Sequence, residues 1–105
     1  MSKGIDFLGD SLDRLRDFPD KVKQTAGYEL SRVQEGKEPR NYRPMPSVGL
    51  GVVEIKIKAD NGEFRVLYVA KREDIVYVLH CFQKKAQKTA KTDIDLARQR
   101  YKDIT

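Results

Sequence analysis

Apolar residues follow a helical spacing in the first third of the chain. A stripe with intervals of three and four residues predicts a helix from about Asp20 to Glu35, and Gly36 is a suitable C-cap. Its apolar positions are Val22, Ala26, Leu30 and Val33. A shorter stripe predicts an earlier helix over Leu12–Phe18, which Pro19 separates from the longer one. Ile5–Leu8 is typical of a short strand ahead of both helices.

From Val52 onward the spacing changes to the two-residue period of β-strands. Asn61-Gly62 favours a type I′ hairpin turn, because both residue types tolerate positive φ. The stretch Lys37–Gly51 contains three prolines and two glycines and is predicted to be a loop. Lys71–Asp74 is predicted to be a charged turn. The predicted strands are Val52–Lys58, Phe64–Ala70 and Ile75–Phe82.

A last helix is predicted to open at Thr92, whose hydroxyl can cap it. Asp93 and Asp95 suit the positive end of the helix dipole. The apolar stripe of this helix is Ile94, Ala97, Tyr101 and Ile104. The length of 105 residues suits a single domain over residues 1–105, and the sequence contains no internal repeat.

Positive charge is concentrated towards the C-terminal end. The formal net charge is +5, and Gln83–Thr92 holds four lysines and no acidic residue. A concentrated positive field favours a polyanion such as nucleic acid as partner. A solvated lysine-rich loop is the alternative interpretation.

Composition also bears on the cellular location. The single cysteine, Cys81, excludes an internal disulfide and fits a reducing cytoplasm. No apolar run approaches the roughly 20 residues that a membrane span needs, and the acidic N-terminal segment is unlike a signal peptide. We therefore expect a cytoplasmic protein with no membrane partner.

Register arguments place the basic residues together. A two-residue Asn61-Gly62 turn sets Lys58 opposite Arg65, and directly opposed side chains share a face of the sheet. This face, the open one, then carries Glu54, Lys56, Lys58 and Arg65. The other face is apolar, with Val53, Ile55, Ile57, Val66 and Tyr68, and should receive the two N-terminal helices. If the third strand is antiparallel with an even-length turn, His80, Phe82 and Lys84 join the open face, and Tyr77, Leu79 and Cys81 join the core face.

The open face holds the chemical groups that RNA cleavage needs. Attack by a 2′-hydroxyl requires a base, cations around the dianionic phosphorane and a proton donor for the leaving oxygen. Arg65 can hold two phosphate oxygens with its planar fork. His80 titrates near neutral pH, and a lysine among lysines, such as Lys84, can also exchange protons. Phe82 can stack on a base.

Each of these residues also has a structural interpretation. A lone histidine on a strand is more often structural than catalytic, and Phe82 belongs to the core if the parity is wrong. For Arg65 the structural interpretation is an ion pair with Glu54 or Glu63. One cysteine and one histidine cannot build a usual zinc site, and there is neither a phosphate-binding glycine loop nor a serine nucleophile motif. We therefore expect no metal and no small-molecule cofactor.

The order of motifs resembles the phage-derived branch of the RelE/HigB toxin family, within the RelE/ParE superfamily. A G-x-x-E-[IL]-[RK] strand corresponds to Gly51–Lys56 and a [YF]-R-[VL]-[LIV]-Y strand to Phe64–Tyr68. A strand end with [LH]-x-F-x-K-K corresponds to His80–Lys85, and a K-T-x-x-x-[DE]-I-x-x-A-x-x-R segment to Lys88–Arg100. Two departures are Ala90, where proline is frequent, and the lack of an obvious counterpart of the C-terminal tyrosine that some RelE proteins use.

The resemblance implies an α+β fold, with two N-terminal helices on a small, mostly antiparallel sheet and a C-terminal helix. It implies a toxin of a type II toxin–antitoxin system that cleaves mRNA on the ribosome, with a helix-turn-helix antitoxin as partner. Arg65 matches the family's active-site arginine, and Glu54, Lys56, Lys84 and Lys85 match recurrent positions. The candidate catalytic residues are therefore Arg65, His80, Lys84 and Glu54. The candidate RNA-binding residues are Lys56, Lys58, Phe82, Lys85 and Lys88.

Two other functions remain open at this point. The same superfamily includes ParE-type inhibitors of DNA gyrase, which do not cut RNA. A basic nucleic-acid-binding module without catalysis is the other. The choice of general base and general acid is open as well.

Overall fold

The structure is a computed structural model, and it describes residues 2–72 and 74–105. The described residues form five strands and three helices in an α+β arrangement. In chain order these are β1 (Gly4–Phe7), α1 (Ser11–Arg16), α2 (Asp20–Gln34), β2 (Tyr42–Pro44), β3 (Val52–Ala59), β4 (Gly62–Arg72), β5 (Ile75–Lys84) and α3 (Lys91–Asp103). None of the helices in these residues has the length and apolar character that crossing a membrane requires.

All five strands form one mixed sheet in the order β1-β5-β4-β3-β2. β1 runs parallel to β5, and the other neighbours are antiparallel. The sheet has one strand more than the sequence predicts, because β2 lies inside the stretch Lys37–Gly51 that was expected to be a loop. Pro44 is compatible with β2 because this strand is at the edge of the sheet, where a missing N–H breaks no ladder.

The first face of the sheet is covered by α1 and α2, as the sequence predicts. The four apolar positions of α2 are buried against the inward side chains of β3, β4 and β5. Leu15 and Phe18 extend this cluster beside α1, and Phe18 packs edge-on against Phe64. The strand side chains of this first core are Ile55, Ile57, Phe64, Val66, Tyr68, Val76, Val78 and Cys81.

The second face is covered in part by α3. A second apolar cluster there includes Val52, Leu67, Val69, Leu79, Phe82 and Ala97. The predicted stripe of α3 contacts this cluster through all four of its residues. Hydrogen bonds fix the helix further: Arg98 donates to the Ser47 carbonyl at 2.5 Å, and Arg100 donates to the Leu79 carbonyl at 2.9 Å. Half of the face that was expected to be open is therefore closed by α3.

Two of the expected core-face residues on β5 are on the second face instead. The register between β4 and β5 shifts between Leu67 and Tyr68, so that Leu67 pairs with His80 and Tyr68 with Val78. Leu79 has no partner in this ladder, and it packs with Tyr77 in the second cluster. An extra residue of this kind reverses the alternation for every position before it. The prediction for Cys81, which follows the shift, is confirmed.

The hairpin between β3 and β4 differs from its predicted register. Ala59 pairs with Gly62 and Lys58 with Glu63, so the two turn residues are Asp60 and Asn61. Neither has positive φ, and only Gly62 does, at 138°, so the turn is not type I′. The partner of Arg65 is Lys56, not Lys58.

Two predicted element ends also change. The last helix begins at Lys91 after Ala90, with no side-chain cap, so Thr92 is inside it. Lys71 and Arg72 of the predicted charged turn belong to β4, and Glu73 lies outside the described residues.

Candidate active site

The sheet brings the predicted site residues to one face. Lys56, Arg65 and Phe82 form one row across β3, β4 and β5, because each is directly opposite the next. Lys58, Glu63 and Lys84 form the adjacent row towards the hairpin turn. Glu54, Leu67 and His80 form the row on the other side, next to α3. Seven of these residues were predicted to share this face, and the structure confirms that placement despite the shift in register. They are Glu54, Lys56, Lys58, Arg65, His80, Phe82 and Lys84.

A buried carboxylate lies on β3 in the row next to α3. Glu54 is fully buried on β3. Its Oε1 accepts a hydrogen bond from Arg43 Nε of β2 at 2.9 Å, and its Oε2 accepts one from the Thr89 hydroxyl at 3.1 Å. Arg65 Nε lies 3.6 Å from Oε1. Because a buried carboxylate is stable only with charged or hydrogen-bonding partners, Glu54 holds β2, β4 and the segment before α3 together.

Arg65 is buried next to Glu54, with only 4% of its side chain exposed. Its Nη2 donates to Glu63 Oε1 at 2.5 Å, and its Nη1 donates to the Phe64 carbonyl at 3.0 Å. Its Nε has no hydrogen-bond partner within the described residues. The sequence left open whether Arg65 pairs with Glu54 or Glu63, and the structure shows it close to both.

Glu63 is the solvent-side partner of Arg65. Its side chain is 49% exposed at the end of the hairpin. The hydrogen bond from Arg65 holds the pKa of the Glu63 carboxyl below its ordinary value, and the charges of Arg65, Lys84 and Lys58 add to this effect. The carboxylate is therefore ionised at neutral pH and neutralises part of the Arg65 charge.

His80 is fully buried between β5 and α3. Its Nε2 is 2.7 Å from Asp93 Oδ1, in the first turn of α3, and its ring is stacked on Phe82 with centroids 5.0 Å apart. Its Nδ1 has no hydrogen-bond partner within the described residues. Burial lowers the pKa of His80 below its usual range, although the contact with Asp93 acts in the opposite direction. In this arrangement His80 connects the sheet to α3, and no solvent reaches its ring.

Phe82 is also buried, as part of the second apolar cluster. A base can stack on its ring only if neighbouring side chains first move. The predicted lysines are more accessible: Lys56 and Lys84 are half-buried, and Lys58, Lys85 and Lys88 are exposed.

Two clefts flank the segment that joins β5 to α3. The larger, about 660 Å³, is lined by Gly62, Glu63, Lys84, Lys85, Ala86 and Gln87. The smaller, about 300 Å³, includes Arg43, Lys88 and Thr89 among its lining residues, and Gln87 borders both. Cationic side chains therefore line both clefts, and a chain of phosphates is the ligand class that suits them.

Four residues of the arrangement were not assigned to the site from the sequence. Arg43 lies in the stretch expected to be a loop, so nothing connected it to Glu54. Thr89 belongs to the K-T motif, which carried no role, and Asp93 was considered only for the helix dipole. Glu63 was considered only as a partner of Arg65. The parity of β4 could have found Glu63, because it lies two residues before Arg65 and therefore on the same face.

No group of three or more His, Cys, Asp or Glu side chains that could hold a metal ion occurs among residues 2–72 and 74–105. What the arrangement offers is the Arg43 guanidinium and several ammonium groups along two clefts, with the buried Arg65 guanidinium behind Glu63. Such groups can stabilise the extra negative charge of a phosphoryl transition state.

Comparison with known proteins identifies the family. No curated protein matches the chain by sequence. The family model described as phage-derived protein Gp49-like (DUF891) matches residues 13–102, which is most of the chain and all of the site described above. This family is one of the RelE/HigB-like toxin families, so the resemblance seen in the sequence is confirmed at that level. The chain belongs to the Gp49-like family of phage-derived proteins.

Proposed function

We propose that the protein is the toxin of a type II toxin–antitoxin system and that it cleaves mRNA on the ribosome without a metal ion. Family membership supports a toxin-like role. The observation that carries the nuclease assignment is the position of Arg65. Arg65 is directly opposite Lys56 and two residues from Glu63, which lines the larger cleft. The Glu54 carboxylate is 3.6 Å from Arg65 Nε and supports the orientation of the guanidinium.

In the proposed reaction the 2′-hydroxyl attacks the adjacent phosphorus and the bond to the 5′-oxygen breaks. The proton of the 2′-hydroxyl passes to a base, and the leaving oxygen takes up a proton from an acid. Arg65 stabilises the two negative charges of the phosphorane. Lys56 and Lys84, on either side of the Arg65–Glu63 pair, are the proposed proton-transfer groups, and the choice between base and acid follows from experiment.

Glu54 and His80 support this chemistry from beneath the surface. Both side chains are fully buried, so neither reaches a bound RNA in this arrangement. We assign Glu54 as the positioning residue of Arg65 and His80 as the positioning residue of Phe82 and α3. A direct catalytic role of His80 would require α3 to move away from β5.

The exposed lysines complete the proposed RNA contact. Lys85 lines the larger cleft, Lys88 lines the smaller one, and Lys58 is opposite Glu63 on β3. All three are exposed and suited to phosphate contacts. The proposed protein partner is a helix-turn-helix antitoxin that covers this surface.

The test is induction of the protein in cells, followed by mapping of new mRNA 5′ ends. We expect the wild type to arrest growth and create new ends, and Arg65→Lys to create none, because lysine keeps the charge but lacks the two-donor fork. Arg16→Lys, an exposed position on α1, is the matched control and should behave as wild type.

Growth arrest without new RNA ends in the wild type would contradict the nuclease assignment. Arrest of that kind, unchanged in Arg65→Lys, would favour a gyrase-type inhibitor. Binding of RNA without products would favour a module that does not catalyse.

A further inference from the structure

The contact between Arg65 and Glu63 occupies the place where the proposed function needs a phosphate. Arg65 is almost fully buried, and its Nη1 and Nε are directed to the Phe64 carbonyl and towards Glu54. Its Nη2 donates to the half-exposed carboxylate of Glu63. Glu63 is therefore the partner through which the guanidinium meets the large cleft.

A carboxylate and a phosphodiester compete for the same donor. Both present negatively charged oxygens, and both accept charge-assisted hydrogen bonds from a guanidinium at similar distances. With Glu63 Oε1 2.5 Å from Arg65 Nη2, one of the two N–H groups on this nitrogen is occupied, and a phosphate oxygen cannot take the same position. The repulsion between the two anions adds to this competition.

We propose that Glu63 is a competing anion that closes the Arg65 site, and that an RNA phosphate binds only after the Glu63 carboxylate turns away. This inference rests on the proposed function, because it takes an RNA phosphodiester as the ligand. In this proposal Glu63 lowers the affinity of the site for phosphate, whereas the other residues of the site stabilise the bound phosphate.

Two lysines offer the Glu63 carboxylate an alternative cationic partner. Lys58 and Lys84 are directly opposite Glu63 on the two neighbouring strands. Glu63 is the second residue of β4 after the hairpin turn, and half of its side chain is in solvent. The carboxylate can therefore exchange Arg65 for an ammonium group by rotating its own side chain, while the backbone of β4 stays in place.

The experiment measures binding of a single-stranded RNA that carries 2′-O-methyl groups and so cannot be cleaved by 2′-hydroxyl attack. Affinity is followed by fluorescence anisotropy at fixed salt concentration. Glu63→Gln removes the competing charge and keeps the shape of the side chain. The matched control is Glu35→Gln, which removes one exposed carboxylate at the end of α2 and changes the net charge equally.

We expect Glu63→Gln to bind this RNA about tenfold more tightly than wild type, as for the loss of one charged competitor. Glu35→Gln should stay within about twofold, because distant exposed charges are screened. In an Arg65→Lys background the gain from Glu63→Gln should disappear. Equal effects of Glu63→Gln and Glu35→Gln, or a gain that persists in Arg65→Lys, would overturn the inference.

The same measurements separate this inference from the proposed function. If Glu63→Gln tightens binding but the wild type produces no new RNA ends in cells, the nuclease assignment is wrong and the competition stands. If new RNA ends depend on Arg65 but Glu63→Gln binds as wild type does, the competition is wrong and the nuclease assignment stands. Lack of RNA binding by both wild type and Glu63→Gln, together with no new RNA ends in cells, would overturn both.

Discussion

Glu54 and Ile55 are neighbours on β3, and both are fully buried, but they point to opposite faces of the sheet. Ile55 belongs to the cluster of apolar side chains under α1 and α2. Glu54 belongs to the other face and contacts two arginines and a threonine hydroxyl. The same depth of burial therefore comes from two different physical causes.

The apolar cluster of the first face should tolerate repacking better than the ion cluster around Glu54 on the second face. An apolar core is stabilised roughly in proportion to the area it removes from water, and a change in shape is met by small movements of the neighbours. A buried ion cluster depends on each partner, because a missing one leaves a charge without compensation. Loss of a single polar contact around Glu54 should therefore affect stability and the orientation of Arg65 together.

The largest effect that tests this comparison is expected for Glu54→Ala. It removes the buried carboxylate 3.6 Å from Arg65 Nε and leaves Arg65 with the half-exposed Glu63 as its anionic partner, and the expected loss in free energy of unfolding is about 3–5 kcal/mol. Chemical denaturation of wild type and variant measures it. Ile55→Ala, the comparator on the first face, is expected to lose a similar amount, about 2–5 kcal/mol, through the cavity it creates.

The double variants distinguish the two causes. Arg65→Met should restore part of the stability lost in Glu54→Ala, because it removes the uncompensated charge, with a coupling of about 1–3 kcal/mol. Arg65→Met should show no such coupling to Ile55→Ala, whose side chain is on the other face. Additive losses in the Glu54→Ala pair would mean that the ion cluster is not a cooperative unit.

The sequence predicted the division into two faces because alternation along a strand is a local property. The hairpin turn is displaced by one residue from its predicted position. The cross-strand partner of Arg65 therefore changes from Lys58 to Lys56. Because these lysines are two residues apart, both remain on the same face of the sheet. The insertion of a single residue, in contrast, moves the side chains before it to the other face of the sheet. The single unpaired Leu79 put Tyr77 and Leu79 on the face they were not expected to occupy.

Depth of burial was not predictable in the same way. His80 and Phe82 were placed on the correct face, but that face was expected to be open, whereas α3 and the second apolar cluster bury both. The position of α3 depends on long-range contacts, such as Arg98 with the Ser47 carbonyl, which no local spacing reveals. β2 was missed for a related reason, since a three-residue edge strand with a proline has almost no local pattern.

A second test concerns His80, which belongs to the second face although its surroundings are largely apolar. Its pKa is lowered in the folded protein, so the unfolded chain takes up a proton at a higher pH than the native one. The stability contribution is therefore complete above the unfolded pKa of about 6.5 and falls as pH decreases below it, by at most about 1.4 kcal/mol per pH unit. Urea denaturation between pH 7.5 and 5.5 measures this slope.

His80→Gln is the control for this slope. The glutamine amide can donate to Asp93 as the imidazole does, but it does not titrate. The variant should therefore lose the pH dependence between pH 6.5 and 5.5, whatever its absolute stability. An identical slope in wild type and His80→Gln would assign the dependence to other groups.

The smallest expected effect on the free energy of unfolding is that of replacing Lys56, the half-buried lysine opposite Arg65. This test asks whether a charge of the second face contributes to RNA binding or to folding. Lys56→Gln should change the free energy of unfolding by no more than about 0.5 kcal/mol, because a partly exposed lysine of this kind contributes little to folding. Its proposed place beside the scissile phosphate, where it transfers a proton, also puts its charge in contact with the RNA. The magnitude of the slope of log affinity against log salt for single-stranded RNA should therefore fall by about 0.7. Lys23→Gln, on α2 and paired with Asp20, is the matched control and should leave that slope unchanged. An equal slope in Lys56→Gln and wild type would mean that the charges of the second face serve the fold alone.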